Sequence, residues 1–126
     1  MSILKLTITL TLICGLCTLG CTGKPSPDSP LSSGGKIHGA RAKVLVNEGA
    51  LLLDVRSPQE FAEGHLEGAI NIPVQSLAQR ITELPQGKRL IVYCRSGRRS
   101  ARATALIQSK RQAEVYDLGP MSAFPQ

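Results

Sequence analysis

Cys94 stands in a field of positive charge: Arg95, Arg98, Arg99 and Arg102 follow it closely, and no acidic residue falls between Lys88 and Arg111. Cationic neighbours favour the thiolate over the thiol, and the thiolate is the nucleophile. Ahead of Cys94 the run Leu90-Ile91-Val92-Tyr93 has the length and β-branched content of a buried strand. A helix-forming segment begins near Ser100, so residues 95–99 must make a tight loop. A strand, a compact loop and a helix N-terminus together aim backbone N–H groups and the positive end of a helix dipole at one point. The chemistry this predicts is attack by sulfur on a small anionic substrate.

The flanking sequence supplies elements to hold that loop. Ile37 is expected in a short edge strand, followed by a helix over 40–48 that turns Val44 and Leu45 inward and closes at Gly49. Leu51-Leu52-Leu53 reads as a buried parallel-type strand with Asp54 at its C-terminal end. Ser57-Pro58-Gln59-Glu60 is a helix start, with Ser57 as N-cap, Pro58 at the first helical position and Glu60 completing a capping box. A turn over 64–69 leads into a brief strand ending at Pro73, and a helix over 76–84 stops at Pro85. After the cysteine loop, a helix over 100–109 turns Ala103, Leu106 and Ile107 inward, and residues 114–118 form a last strand. Such alternation predicts an α/β domain, a central parallel sheet of about five strands with helices on both faces. Ligands bind at the C-terminal strand ends of such sheets, where Cys94 falls.

With 126 residues and 42% hydrophobic content, the chain holds one domain once its ends are set aside. The net charge of +6 points to an anionic partner, but aromatic residues make up only 3%. That scarcity of stacking groups, with arginines gathered around a cysteine instead of along a repeating face, argues against nucleic acid.

Residues 1–20 read as a signal peptide, with Lys5 as a sparse positive region and 6–19 as an apolar, threonine-rich core. The run is short for a bilayer span of roughly 20 apolar residues. Thr18-Leu19-Gly20-Cys21 resembles the bacterial lipobox, with Thr18 where an aliphatic residue is usual. The resemblance implies lipidation of Cys21 and an exported bacterial lipoprotein, anchored in a membrane and facing the periplasm or the cell exterior. Residues 21–35, rich in Pro, Ser and Gly, form the tether, and 36–126 the folded domain. Cleavage removes Cys14 and Cys17, acylation consumes Cys21, and Cys94 is left as the sole thiol. No His or Cys cluster then remains for a metal, and no cofactor is implied.

Three separated segments give the domain its likeness. Leu53-Asp54-Val55-Arg56-Ser57-Pro58-Gln59-Glu60-Phe61, Gly64-His65-Leu66-Glu67-Gly68-Ala69-Ile70-Asn71-Ile72-Pro73 and Cys94-Arg95-Ser96-Gly97-Arg98-Arg99-Ser100 occur in this order. They resemble the D-V-R-x-x-x-E-[FY], G-H-[IL]-x-G-A-x-[NH]-[IL]-P and C-R-x-G-x-R-S segments of the single-domain rhodaneses, a family of sulfurtransferases. The resemblance implies that Cys94 takes the outer sulfur of thiosulfate or a related donor as a persulfide and passes it to cyanide or a thiol. It places Arg95, Ser96, Gly97, Arg98, Arg99 and Ser100 around the substrate. Arg95 and Arg98 are expected to meet the anion, with Arg99 able to pack inward and brace the loop. Asp54 and Arg56 are expected as a polar brace beneath the loop, and His65 as a turn residue. A monomer is expected.

Two other classes stay open. One is a binding or redox-sensing module built on the same domain without turnover. The other is a cysteine-dependent phosphatase or arsenate reductase, disfavoured because C-x5-R spacing puts Ser100 where its arginine belongs. After the last strand, Leu118-Gly119-Pro120-Met121 replaces the second glycine of the family's L-x-G-G with proline, which removes an N–H and restricts φ. That wall of the pocket is expected to differ.

Overall fold

The computed structural model describes residues 34–110 and 114–126. The signal segment, Cys21 and most of the tether lie outside the described residues. The elements run α1 (Gly39–Asn47), β1 (Leu51–Asp54), α2 (Pro58–Ala62), β2 (Ile70–Asn71), α3 (Leu77–Arg80), β3 (Leu90–Cys94), α4 (Arg98–Lys110) and β4 (Val115–Pro120). Short 3-10 turns follow α3 at Ile81–Glu83 and β4 at Met121–Ala123.

The strands form one parallel sheet in the order β2-β1-β3-β4. Among the described residues the sheet has four strands, and the edge strand expected at Ile37 is reduced to one bridge. The segment containing Ile37 contributes a single bridge, Lys36 to Asp117, with the Ile37 N–H donating to the Asp117 carbonyl at 2.9 Å. Its chain turns into α1 two residues later, too soon for a second rung.

Strand alternation sends side chains to two separate cores. Leu53, Leu90, Val92, Cys94 and Val115 pack with Leu77 of α3 and with Ala103 and Ile107 of α4. Leu52, Ile91, Tyr93, Tyr116 and Leu118 pack with Ala42 and Leu45 of α1. Helices therefore cover both faces, and a strand buried on both sides must read as a continuous apolar run. All five residues of β3 are buried.

Several local expectations shift. Leu45 of α1 is fully buried, but Val44 is 44% exposed. Neighbouring helical positions point about 100° apart, so a narrow inward stripe takes Ala42 and Leu45 and leaves Val44 outside. The helix expected over 76–84 is α3 followed by a 3-10 turn, and Leu84 before Pro85 is extended at φ -69° and ψ 132°, as a following proline demands. α4 begins at Arg98, two residues before the expected Ser100, so the loop itself is residues 95–97. β4 runs on to Pro120, which is tolerated there because β4 is an edge strand. Between Val92–Asp117 and Tyr93–Gly119 the register slips by one, a bulge with Gly119 at φ 83°.

Candidate active site

Cys94 ends β3, with its side chain fully buried at the α4 face of the sheet. The loop turns at Gly97, whose φ of 89° is left-handed backbone that suits glycine. This turn brings the Gly97 N–H to 3.0 Å from Sγ, and the first turn of α4 adds the Ser100 N–H at 3.4 Å. Ser100 Oγ lies 3.7 Å from Sγ, within hydrogen-bond reach, and 3.0 Å from the Gly97 carbonyl, to which it donates. Burial by itself would push the thiol pKa up. The Ser100 N–H and hydroxyl and the N–H groups of Ser96 and Gly97 outweigh it and hold the pKa below the ordinary thiol value.

Arg99 pairs bidentately with Glu60, at 2.6 and 2.8 Å. Glu60 is also the third helical residue of α2 and accepts the Ser57 N–H at 3.0 Å, while Ser57 Oγ accepts the Glu60 N–H, which completes the expected capping box. One carboxylate thus caps α2 and ties it to the first turn of α4. The Arg99 guanidinium first, then the Ser57 N–H, lower its pKa to about 2. In the sequence alone Glu60 reads as a cap. Its charge opposite the loop arginines was the available signal.

This pair carries a pH prediction. The folded pKa lies below the unfolded one, so the stabilisation is complete above the ordinary carboxylate range of about 4.3. It is lost as pH falls towards about 2. Glu60→Gln is expected to lower stability by about 1 kcal/mol at neutral pH, with the gap in Tm from wild type closing in acid. Thermal melts of both proteins across that window check it.

Asp54 and Arg56 are both buried. Asp54 accepts the Arg56 N–H at 2.9 Å, Nε at 3.0 Å and Nη2 at 2.6 Å. Nη2 also donates to the Gly64 carbonyl at 2.6 Å. The guanidinium lies 5.9 Å from the centre of the Tyr93 ring. The hydrogen bonds of the pair thus hold the turn at Gly64 and sit beside β3; none of them reaches the loop at 95–97 directly. Asn71 fastens the same end of the sheet, its Nδ2 donating to the Asp54 and Arg56 carbonyls at 3.0 Å. Tyr93 takes the Leu66 N–H on its hydroxyl at 3.1 Å, and burial pushes its pKa up. His65 stacks on Phe61 at 3.8 Å between ring centres, with Nδ1 2.9 Å from the Phe61 carbonyl, a turn contact.

A pocket of about 250 Å³ opens beside the loop, lined by Ser96, Arg98, Arg99 and Arg102. Arg95 is exposed and is not among these lining residues. Gly119 and Pro120 flank the loop: a Cβ on Gly97 would stand 3.5 Å from Gly119 Cα and 3.8 Å from Pro120 Cδ. The departure at Pro120 therefore lies against the turn that cradles sulfur, level with Cys94 in the sheet.

The molecule is thus a parallel α/β domain that presents a buried cysteine at a strand end, with backbone N–H groups on its sulfur. The chain belongs to the rhodanese-like domain family, which matches residues 39–121. It is similar to the thiosulfate sulfurtransferase GlpE of Ectopseudomonas mendocina, with 36% identity over 66% of this chain and 76% of that protein. It is also similar to the thiosulfate sulfurtransferase PspE of Escherichia coli, with 35% identity over 53% of this chain and 66% of that protein. The protein YqhL of Bacillus subtilis is 42% identical, but the chain spans 55% of its length, and it spans 66% of a sulfurtransferase of Allochromatium vinosum. Among solved structures, a rhodanese-related protein of Thermoplasma volcanium matches with a TM-score of 0.64 and 26% identity, covering 71% of this chain and 94% of that one. The human single-domain sulfurtransferase TSTD1 matches with a TM-score of 0.57 and 28% identity, over 66% and 87%.

Proposed function

We propose that this protein moves a sulfane sulfur from thiosulfate, or a related anionic donor, through a persulfide on Cys94 to cyanide or a thiol. The observation that carries this reading is the cradle of N–H groups on Sγ, at 3.0 Å from Gly97 and 3.4 Å from Ser100. It favours a thiolate before the reaction, and donors of this kind stabilise anionic sulfur without reorganising. The thiolate attacks the outer sulfur of thiosulfate, the S–S bond breaks, and its electron pair leaves with sulfite. The acceptor thiolate or cyanide then attacks the outer sulfur of the persulfide, and the Cys94 thiolate departs with the electron pair of the second S–S bond. No metal or external base enters either step. Relatives named as thiosulfate sulfurtransferases support the same reading. Treating the reduced protein with thiosulfate should add the mass of one sulfur atom to the peptide that holds Cys94. Absence of that adduct, with binding of thiosulfate retained, would favour a binding module.

We also propose that the chain is exported and held at a membrane by acyl groups on Cys21, as a monomer. The Gly20-Cys21 junction supports this, and several acyl chains anchor stably. Full-length protein expressed in a bacterium should partition into the detergent phase, and Cys21→Ser should move it to the aqueous phase.

A further inference from the structure

Asp117 is a polar exception on its strand. Alternation along β4 puts Val115 in the core beside α4 and Tyr116 and Leu118 in the core beside α1, so Asp117 falls on the α4 face, the face of Cys94. Its backbone is held on the outer side, the N–H donating to the Gly35 carbonyl at 3.0 Å and the carbonyl accepting the Ile37 N–H at 2.9 Å. Its carboxylate reaches along the strand, where Oδ1 accepts the Gly119 N–H at 2.9 Å. Gly119 is buried, and a buried N–H must find an acceptor. Here the ladder slips by one, with Gly119 at φ 83°, and a side chain supplies that acceptor. The slip sets Gly119 against the cysteine loop: a Cβ on Gly119 would stand 4.0 Å from Gly97 Cα.

We propose that Asp117 is a positioning residue for the reactive sulfur: its carboxylate fixes the Gly119 bulge, and the bulge backs the left-handed turn at Gly97 that donates to Cys94 Sγ. Without the carboxylate the Gly119 N–H loses its acceptor, the bulge relaxes toward regular pairing, and the surface behind Gly97 withdraws. The Gly97 donor then moves out from 3.0 Å, and the thiolate loses a hydrogen bond. The proposal rests on the Cys94 nucleophile of the sulfurtransferase reading, and on neither the donor nor the acceptor of sulfur.

The sign of one measurement separates positioning from charge. Removing a carboxylate near a thiolate lowers the thiol pKa by charge alone, whereas losing a donor raises it. Alkylation by iodoacetamide is followed against pH on the peptide that holds Cys94. In Asp117→Ala the midpoint of that profile should rise by about one pH unit. In Asp117→Asn, whose amide oxygen still accepts from Gly119, it should stay at or below the wild-type midpoint. Arg99, a charged side chain whose field meets Cys94, keeps its Glu60 partner in both variants. On the alkaline plateau Asp117→Ala should react at least as fast as wild type, because the more basic thiolate is the stronger nucleophile. Gly119→Ala keeps the carboxylate but opposes the left-handed bulge; it should raise the midpoint too, and it replaces Asp117→Ala if that variant does not fold. A midpoint that moves alike in both Asp117 variants, or that stays put in Asp117→Ala or its replacement, would overturn the proposal. So would a loss of rate that is equal at every pH. Alkylation needs no sulfur donor, so a raised midpoint in a protein that forms no persulfide would retain the positioning role and remove the sulfurtransferase reading. Persulfide formation with an unmoved midpoint would do the reverse.

Discussion

Cys94→Ala is expected to reduce sulfur transfer from thiosulfate to cyanide by at least about a thousandfold, leaving the uncatalysed rate. The loss is that large because both steps of the exchange pass through one sulfur atom. Among the described residues Cys94 is the one free cysteine, so no neighbouring thiol takes over. The N–H cradle survives in the variant, and donors without a nucleophile cannot open the S–S bond. A companion measurement separates loss of the nucleophile from loss of fold. In wild type, the rate of alkylation by iodoacetamide should rise with pH and level off below the ordinary thiol pKa of about 8.5, because the thiolate is the reactive form. Ser100→Ala removes the hydroxyl that favours the thiolate and should move that midpoint upward. Turnover by Cys94→Ala above a few per cent of wild type would remove the persulfide mechanism.

Asp54→Ala is expected to produce the largest loss of stability, about 3–5 kcal/mol. The carboxylate is fully buried and the Arg56 side chain is 8% exposed, so loss of the carboxylate strands a guanidinium out of water with the Gly64 carbonyl as its one remaining acceptor among the described residues. In a domain of this size the change lowers Tm by on the order of 15 °C or more. The cost belongs to the stranded charge and not to the pair as such. The double substitution Asp54→Leu with Arg56→Met should therefore be closer to wild type than either single change. A melt of Asp54→Ala within a degree or two of wild type would show that Arg56 can swing into solvent.

What was legible in the sequence was local. The cap at Ser57 and Glu60, the buried runs of β1 and β3, and the tight loop after Cys94 each follow from a few adjacent residues. Contacts between distant segments were harder to see. Glu60 and Arg99 are 39 residues apart, and nothing in either neighbourhood names the other. The meeting of Gly97 with Gly119 depends on a bulge that only pairing with β3 creates. The role of Pro120 beside the loop required knowing that β4 passes the expected end at 118. The edge strand expected at Ile37 shortens to one bridge for a related reason. An apolar residue such as Ile37 signals burial, but the number of rungs it makes is decided by how soon the chain turns away.

The position of β3 sets how the site moves. β3 lies between β1 and β4, buried along its whole length, so its amide hydrogens should exchange with solvent only when the domain opens as a whole. Arg95 and Ser96 are exposed and Gly97 is half-buried, so the amides of this loop are expected to exchange sooner. Cys94 Sγ is therefore fixed to the slowest-exchanging part of the molecule, while the Gly97 donor belongs to the exposed loop and the Ser100 donor to α4. Loop fluctuation can therefore loosen the Gly97 donor without displacing Cys94 Sγ.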